Sequence, residues 1–244
     1  MIGGRAQQMQ IGAGPAQIEM GGMRPGEGDA AMHLDRVGRG LRVGVGAGEG
    51  GEVHRLGGVR RARGQRLGGG PVELEAIMEE VGAALLPAPL FAVTMAAALI
   101  AACGDAAASD RLLPGLARGR IATVALTGEA GTWTPEGVAL AAHAHGERWF
   151  LDGTASYVLH GAAADLVLAV ARIEGGFGIF EVAPDAPGLA VERLQSFDRT
   201  LRLAKMDFRH VPATRLGQAG WEAVEAMLRL ALVALAGEQA GGAR

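Results

Sequence analysis

Asparagine is missing from this chain, and lysine, cysteine and tyrosine occur once each, as Lys205, Cys103 and Tyr157. One cysteine excludes an internal disulfide and any metal cage built from thiolates. Basic residues number 23 against 26 acidic ones, a net charge of −3. That balance gives no electrostatic case for nucleic acid or an anionic membrane as partner. Because lysine and asparagine codons are A/T-rich, their scarcity marks a very GC-rich gene. Met1–Gln10 lacks an apolar stretch behind a basic start, so no signal peptide is evident and a cytoplasmic location is the default. One long uncharged run exists, the 23 residues Val81 to Cys103. Pro87 and Pro89 split it and alanine fills much of it, so two buried helices are expected, with no membrane span.

With 244 residues and 49% hydrophobic content, the chain can bury a sizeable core. That capacity is unevenly spread. Residues 1–70 hold 21 of the 40 glycines and ten arginines, with no sustained period of 3.6 or 2. Such a segment cannot bury enough surface to offset its ordering entropy. It is expected to be disordered, or an out-of-frame Gly/Arg-rich stretch that returns to the true frame near Gly68-Gly69-Gly70.

From Pro71 the pattern changes. Pro71 suits a first helical position, and Glu73 and Glu75 complement the helix dipole in the first turn. Leu74, Ile77, Met78, Val81 and Leu85 form an amphipathic stripe. Pro87-Ala88-Pro89 ends that helix, and Leu90 to Cys103 reads as a second, nearly all-apolar one. Ser109-Asp110 can cap a short third helix running through Leu116. After Arg120 the period becomes that of strands, with candidates at residues 121–126, 137–142, 149–151, 156–160, 166–172, 177–182, 190–194 and 202–208. Gly175-Gly176 marks a hairpin turn. Eight short strands with no helices between them predict an antiparallel barrel or sandwich. Gly220 precedes a last helix, Trp221 to about Ala236, apolar on nearly every side as in a bundle. Its bundle partners are expected to be missing from this chain.

Isolated motifs carry little. Gly46-Ala47-Gly48-Glu49-Gly50-Gly51 satisfies the dinucleotide pattern G-x-G-x-x-G, but no amphipathic helix follows it, and a glycine-rich stretch produces the match by chance. His143 and His145 could share a strand face, yet no carboxylate or cysteine completes a metal site, so a solvated face is expected and no metal. His160 and His210 are isolated. Ser156 and Ser196 lack a nucleophile-elbow pattern. Cys103 reads as a small core residue.

Taken in order, the pieces from Pro71 onward resemble the acyl-CoA dehydrogenases over about 170 residues. Glu79-Glu80-Val81-Gly82 with Leu86-Pro87-Ala88-Pro89 is similar to the family's late N-terminal helices. Leu112–Gly119 resembles the element leading into the flavin domain, and Ala125-Leu126-Thr127 the strand end that follows it. Leu151–Leu159 is similar to the strand that bears a tryptophan-isoleucine-threonine triplet. Ala164-Asp165, Gly188-Leu189, Asp198-Arg199-Thr200, Met206-Asp207-Phe208, Val211-Pro212 and Leu216-Gly217 follow in family order. Gly237–Gly242 resembles the turn after the first C-terminal helix.

The resemblance implies a multi-domain α and β protein. A partial helical domain would span residues 71–119, a flavin-binding β-domain residues 120–217, and the single helix of an incomplete C-terminal bundle residues 218–244. It implies FAD as cofactor, α,β-dehydrogenation of acyl-CoA thioesters, and electron transfer to an electron-transfer flavoprotein. Homo- or hetero-oligomers would form through the C-terminal helices. Leu126 and Thr127 would meet the pyrimidine side of the flavin. Tyr157 would take the tryptophan's place against the ring, with Val158 and Leu159 beside it, and Thr132 would stand near the acyl-CoA. The sequence departs from the family pattern at three places: Gly128-Glu129 replaces Glu-Pro, Ala155 replaces lysine, and Leu159 replaces threonine. The resemblance implies a catalytic carboxylate either on the first bundle helix, where the matching position is Ala231, or in a late bundle loop expected beyond Arg244, so no catalytic residue is assigned and the chain alone is expected to be inactive. Two alternatives share the resemblance: a non-catalytic subunit or remnant of a heteromeric dehydrogenase, and a flavin-dependent monooxygenase.

Overall fold

The structure is a computed structural model. It describes residues 70–244 apart from Glu147 and Arg199, and the backbone pairing of six short strands before them. Those strands form antiparallel pairs β1 (Gln7–Ile11) with β2 (Ala16–Met20) and β3 (Met32–Val37) with β4 (Gly40–Val45), and a parallel pair β5 (Arg55–Leu56) with β6 (Gly68–Gly69). The G-x-G-x-x-G match lies outside the described residues. So does most of the segment expected to be disordered or out of frame. By contact the chain divides into two compact units. One comprises Met1–Leu90, Ala117–Gly119 and Leu232–Arg244; the other comprises Phe91–Leu116 and Arg120–Ala231.

In the first unit, α1 (Pro71–Ala83) starts with Pro71, and Glu73 reaches back to accept a hydrogen bond from the Gly70 N–H at 2.6 Å. This satisfies a donor that every helix start leaves open. The expected stripe is buried at Leu74, Ile77, Met78 and Val81. Leu85 departs from it. The helix has already ended, and Leu85 sits exposed in the left-handed region at φ +47°. Its place in the stripe is corrected accordingly.

The closing turns of α4 (Trp221–Gly242) lie against α1 at backbone distance. A Cβ at Gly237 would stand 2.6 Å from the Glu75 carbonyl oxygen, and one at Gly241 would overlap that of Glu79. Gly237–Gly242 is therefore helix and not a turn, and α4 does find a partner in this chain. Glycine costs a helix about 1 kcal/mol per residue, and here the close packing it permits offsets that loss.

In the second unit, α2 (Leu90–Ala102) buries Met95, Ala96, Leu99 and Ile100. Helix α3 (Ala106–Ala117) begins earlier than the sequence suggests. Asp105 caps it by accepting the Ala108 N–H at 2.9 Å. Capping by Ser109-Asp110 is corrected to this residue, which immediately follows Gly104.

The rest of this unit is a seven-stranded barrel of β7 (Ala122–Ala125), β8 (Ala141–His145), β9 (Arg148–Leu159), β10 (Leu166–Ile173), β11 (Gly176–Val182), β12 (Leu189–Arg193) and β13 (Leu203–Arg215). The order β11-β10-β8-β9-β13 closes through pairing of β11 with β13, so the ring leaves no free edge among its members. Most pairings are antiparallel, but β10 takes β7 and β8 as parallel neighbours, so the sheet is mixed. Two expected strands, 149–151 and 156–160, are one continuous β9. The expected strand at 137–142 starts only at Ala141, because Pro135–Gly137 forms a 3-10 turn. Inside the ring, Phe180, Leu151, Met206, Leu140 and Val167 are essentially fully buried.

Candidate functional site

A candidate ligand face of the barrel starts from a defect in β9.

 Val158 pairs with Ala204 and Ala155 with Met206, so Ser156 and Tyr157 together oppose the single residue Lys205. This is a β-bulge, in which the extra residue bends the strand and re-aims a side chain. Tyr157 pays for it with a left-handed backbone, φ +59°. An aromatic residue in that region is an outlier that persists only where its surroundings enforce it. The result is a ring that is 46% exposed in the middle of a barrel strand.

Three contacts enforce that geometry. Ser156 N–H donates to the Thr127 carbonyl at 2.8 Å, and the Thr127 hydroxyl donates to the Ser156 carbonyl at 3.1 Å. Further along, the Thr123 hydroxyl donates to the Leu159 carbonyl at 2.5 Å. These bonds stitch β7 and the residues after it to β9 on both sides of the bulge. Tyr157 Oη then donates to the Glu129 carbonyl at 3.2 Å. Gly131 lies against the ring: a Cβ there would stand 3.3 Å from Tyr157 Cε2.

The residues singled out in the sequence fall into three environments. Leu126, Thr127 and Val158 are buried, so they shape the site from below. Tyr157 is exposed and Leu159 is half-buried. Thr132 is exposed in the loop after Gly131, where Gly137 packs directly on its carbonyl group. The structure thus gathers Thr127, Ser156, Tyr157 and the 128–131 turn into one place, with Thr132 at its margin. Ala231, buried on α4, has no group that can move a proton.

Two members of this neighbourhood, Glu129 and Lys205, were given no role at the site by the sequence reading. Glu129 occupies the turn closed by the Gly131 N–H donating to the Gly128 carbonyl at 3.0 Å. Its carboxylate accepts from Lys205 Nζ at 2.7 Å. That hydrogen bond, with the attraction of the same carboxylate, holds the Lys205 ammonium above its ordinary pKa. The signal that could have found Lys205 is its rarity, as the one lysine in an arginine-rich chain.

The other motifs stay apart from this site. His143 and His145 are exposed on β8, and no cluster of three or more metal-ligating side chains occurs among the described residues. His145 instead packs edge-on against Phe150 and His210. Cys103 is buried, and desolvation pushes its thiol up to about 11. Among the described residues, no helix is long and apolar enough to cross a membrane.

Several solved structures are similar to this chain. A variant of the Tcur3481-Tcur3483 steroid ACAD, an acyl-CoA dehydrogenase, is 35% identical over 70% of this chain and 46% of its own, with a TM-score of 0.63. In sequence and fold the chain is similar to this acyl-CoA dehydrogenase. A glutaryl-CoA dehydrogenase from Mycobacterium smegmatis in complex with FADH2 is 21% identical, covering 71% of this chain and 47% of its own at a TM-score of 0.66. Butyryl-CoA dehydrogenase from Megasphaera elsdenii is 19% identical, covering 70% and 48% at a TM-score of 0.61. The chain spans about half the length of these structures. No family model and no curated protein matches it.

Proposed function

We propose that this chain is the flavin-facing part of an FAD-dependent acyl-CoA dehydrogenase, acting on acyl-CoA thioesters at their α,β carbons. The observation that carries the reading is the exposed Tyr157 ring, held in a left-handed backbone at the β9 bulge. A planar, solvent-facing aromatic group on a rigid strand suits the face of a flat heterocycle. Leu126 and Thr127 would lie at the pyrimidine side, Val158 and Leu159 beside the ring, and Thr132 toward the acyl-CoA. FAD, when bound, supplies the hydride acceptor. The chain's own residues would orient the ring and shield it from water. With alanine at position 231, this chain offers no carboxylate there to take the α proton, so turnover by the chain alone is not expected.

A second reading is favoured by the same alanine and by the half-buried, hydroxyl-free Leu159. In it the chain is the non-catalytic partner of a heteromeric dehydrogenase. The 35% identical relative carries a paired name, which supports association between unlike subunits. Electron-transfer flavoprotein as acceptor, and a cytoplasmic setting, complete the proposal.

The visible spectrum of the purified chain tests it. Flavin absorbance that bleaches when acyl-CoA is added supports an active dehydrogenase. Flavin that does not bleach supports the flavin-binding part of the reading without turnover. A colourless protein that also fails to bind added FAD supports the non-catalytic subunit. Substrate hydroxylation in air would point instead to a monooxygenase. Tyr157→Ala is expected to weaken FAD binding about tenfold, as loss of an aromatic stacking partner does, and Tyr157→Trp to preserve it.

A further inference from the structure

We propose that Lys205 is a positioning residue: through Glu129 it clamps the 128–131 turn against Tyr157 and so sets the attitude of that ring. The proposal rests on the flavin reading above for its consequence, but not for its geometry. Glu129 is gripped from two sides. Its carbonyl oxygen accepts from Tyr157 Oη at 3.2 Å, and its carboxylate accepts from Lys205 Nζ at 2.7 Å. Both grips come from the bulge, since Tyr157 is one of the two residues that oppose Lys205 across it. The rest of the turn is held by backbone, with Gly131 N–H donating to the Gly128 carbonyl at 3.0 Å. Gly128 N–H donates to the Gly137 carbonyl at 2.8 Å, and glycines at 128 and 131 leave the backbone otherwise permissive.

Lys205 has other carboxylates in its field. Glu192 is its cross-strand partner on β12, and Asp207 lies two residues along β13. Asp207 accepts a hydrogen bond from the Thr154 hydroxyl at 2.7 Å. The ammonium nevertheless forms its hydrogen bond with Glu129, whose carbonyl accepts from Tyr157. The Glu129 side chain is 74% exposed against 29% for Lys205, so water and salt screen the pair. A contact of this kind contributes little to global stability. It can still select one orientation of an exposed ring among several.

The test uses the fact that the chain holds one tyrosine and one lysine. Tyrosine labelled with carbon-13 at Cζ yields a single resonance, and FAD binding is followed by quenching of flavin fluorescence. Lys205→Met is expected to shift or broaden that resonance and to weaken FAD binding about two- to five-fold, with an unchanged thermal midpoint. The exchanged pair Glu129→Lys with Lys205→Glu should return both readouts toward wild type. A Lys205→Met resonance identical to wild type would overturn the clamp. So would failure of the exchanged pair to recover a shifted one. If wild type binds no FAD, the flavin reading fails, and the resonance alone then decides the clamp.

Discussion

Thr127 and Ser156 exchange two hydrogen bonds, the hydroxyl of one to the carbonyl of the other at 3.1 Å and the reverse N–H to carbonyl at 2.8 Å. Both residues are buried, so neither carbonyl has water as a ready substitute. Thr127→Val keeps the shape and removes the donor. It is expected to cost about 1–3 kcal/mol, the penalty for a buried polar group left unpaired. Thr127→Ser keeps the donor and should cost less. Chemical denaturation of the two variants checks the order, and equal losses would contradict it.

Helix α4 meets α1 through glycines, and its last turn permits a test of sign. Gly241→Ala gains up to about 1 kcal/mol in helix propensity, but its methyl would overlap the Glu79 carbonyl, which is backbone and cannot swing aside. Overpacking at about 1–3 kcal/mol should win, so this variant is less stable. Gly242→Ala meets nothing closer than 3.8 Å and should be neutral or slightly stabilising. Thermal melts that rank the two the other way would remove the close helix contact.

Cys103 should be chemically silent in the folded chain. Burial, followed by the charges of Asp105 and Glu222, raises its thiol to about 11, so little thiolate exists at pH 8. A disulfide reagent is expected to react slowly with native protein and quickly in guanidinium. Equal rates would show that the site is open.

Asp105 supports folding in a pH-dependent way. Its carboxyl is held below the ordinary 3.8, first by the hydrogen bond from Ala108 N–H and also by that from Gly217 N–H. A depressed carboxylate pKa contributes stability above its unfolded value, and that stability is lost as pH falls through the folded value. Asp105→Ala is therefore expected to melt about 3 °C lower at neutral pH. The difference should shrink as the pH drops below 3.8. A difference independent of pH would sink the assignment.

The order of elements was legible because it rests on local chemistry. Pro71 and Glu73 start a helix wherever they stand, and Leu74, Ile77, Met78 and Val81 mark its buried face by spacing alone. The strands of the barrel announced themselves by period, although Trp149–Leu151 and Ser156–His160 read as two. The gap between them holds Gly153, a turn signal by propensity that here lies within β9 at φ +121°. Gly237–Gly242 read as a turn for a related reason. Glycine at i and i+4 signals a loop by propensity, and only a neighbouring backbone makes it a helix contact.

By itself the sequence determined where helix gives way to strand, which residues are apolar enough to fill a core, and which family the order resembles. These follow from propensities and periods that act over a few residues. The tertiary structure alone decided that Tyr157 faces solvent in a left-handed backbone, that Glu129 and Lys205 meet beside it, and that α4 returns to α1. Each of those depends on residues dozens of positions apart brought within hydrogen-bond or van der Waals range, and no local pattern carries that information.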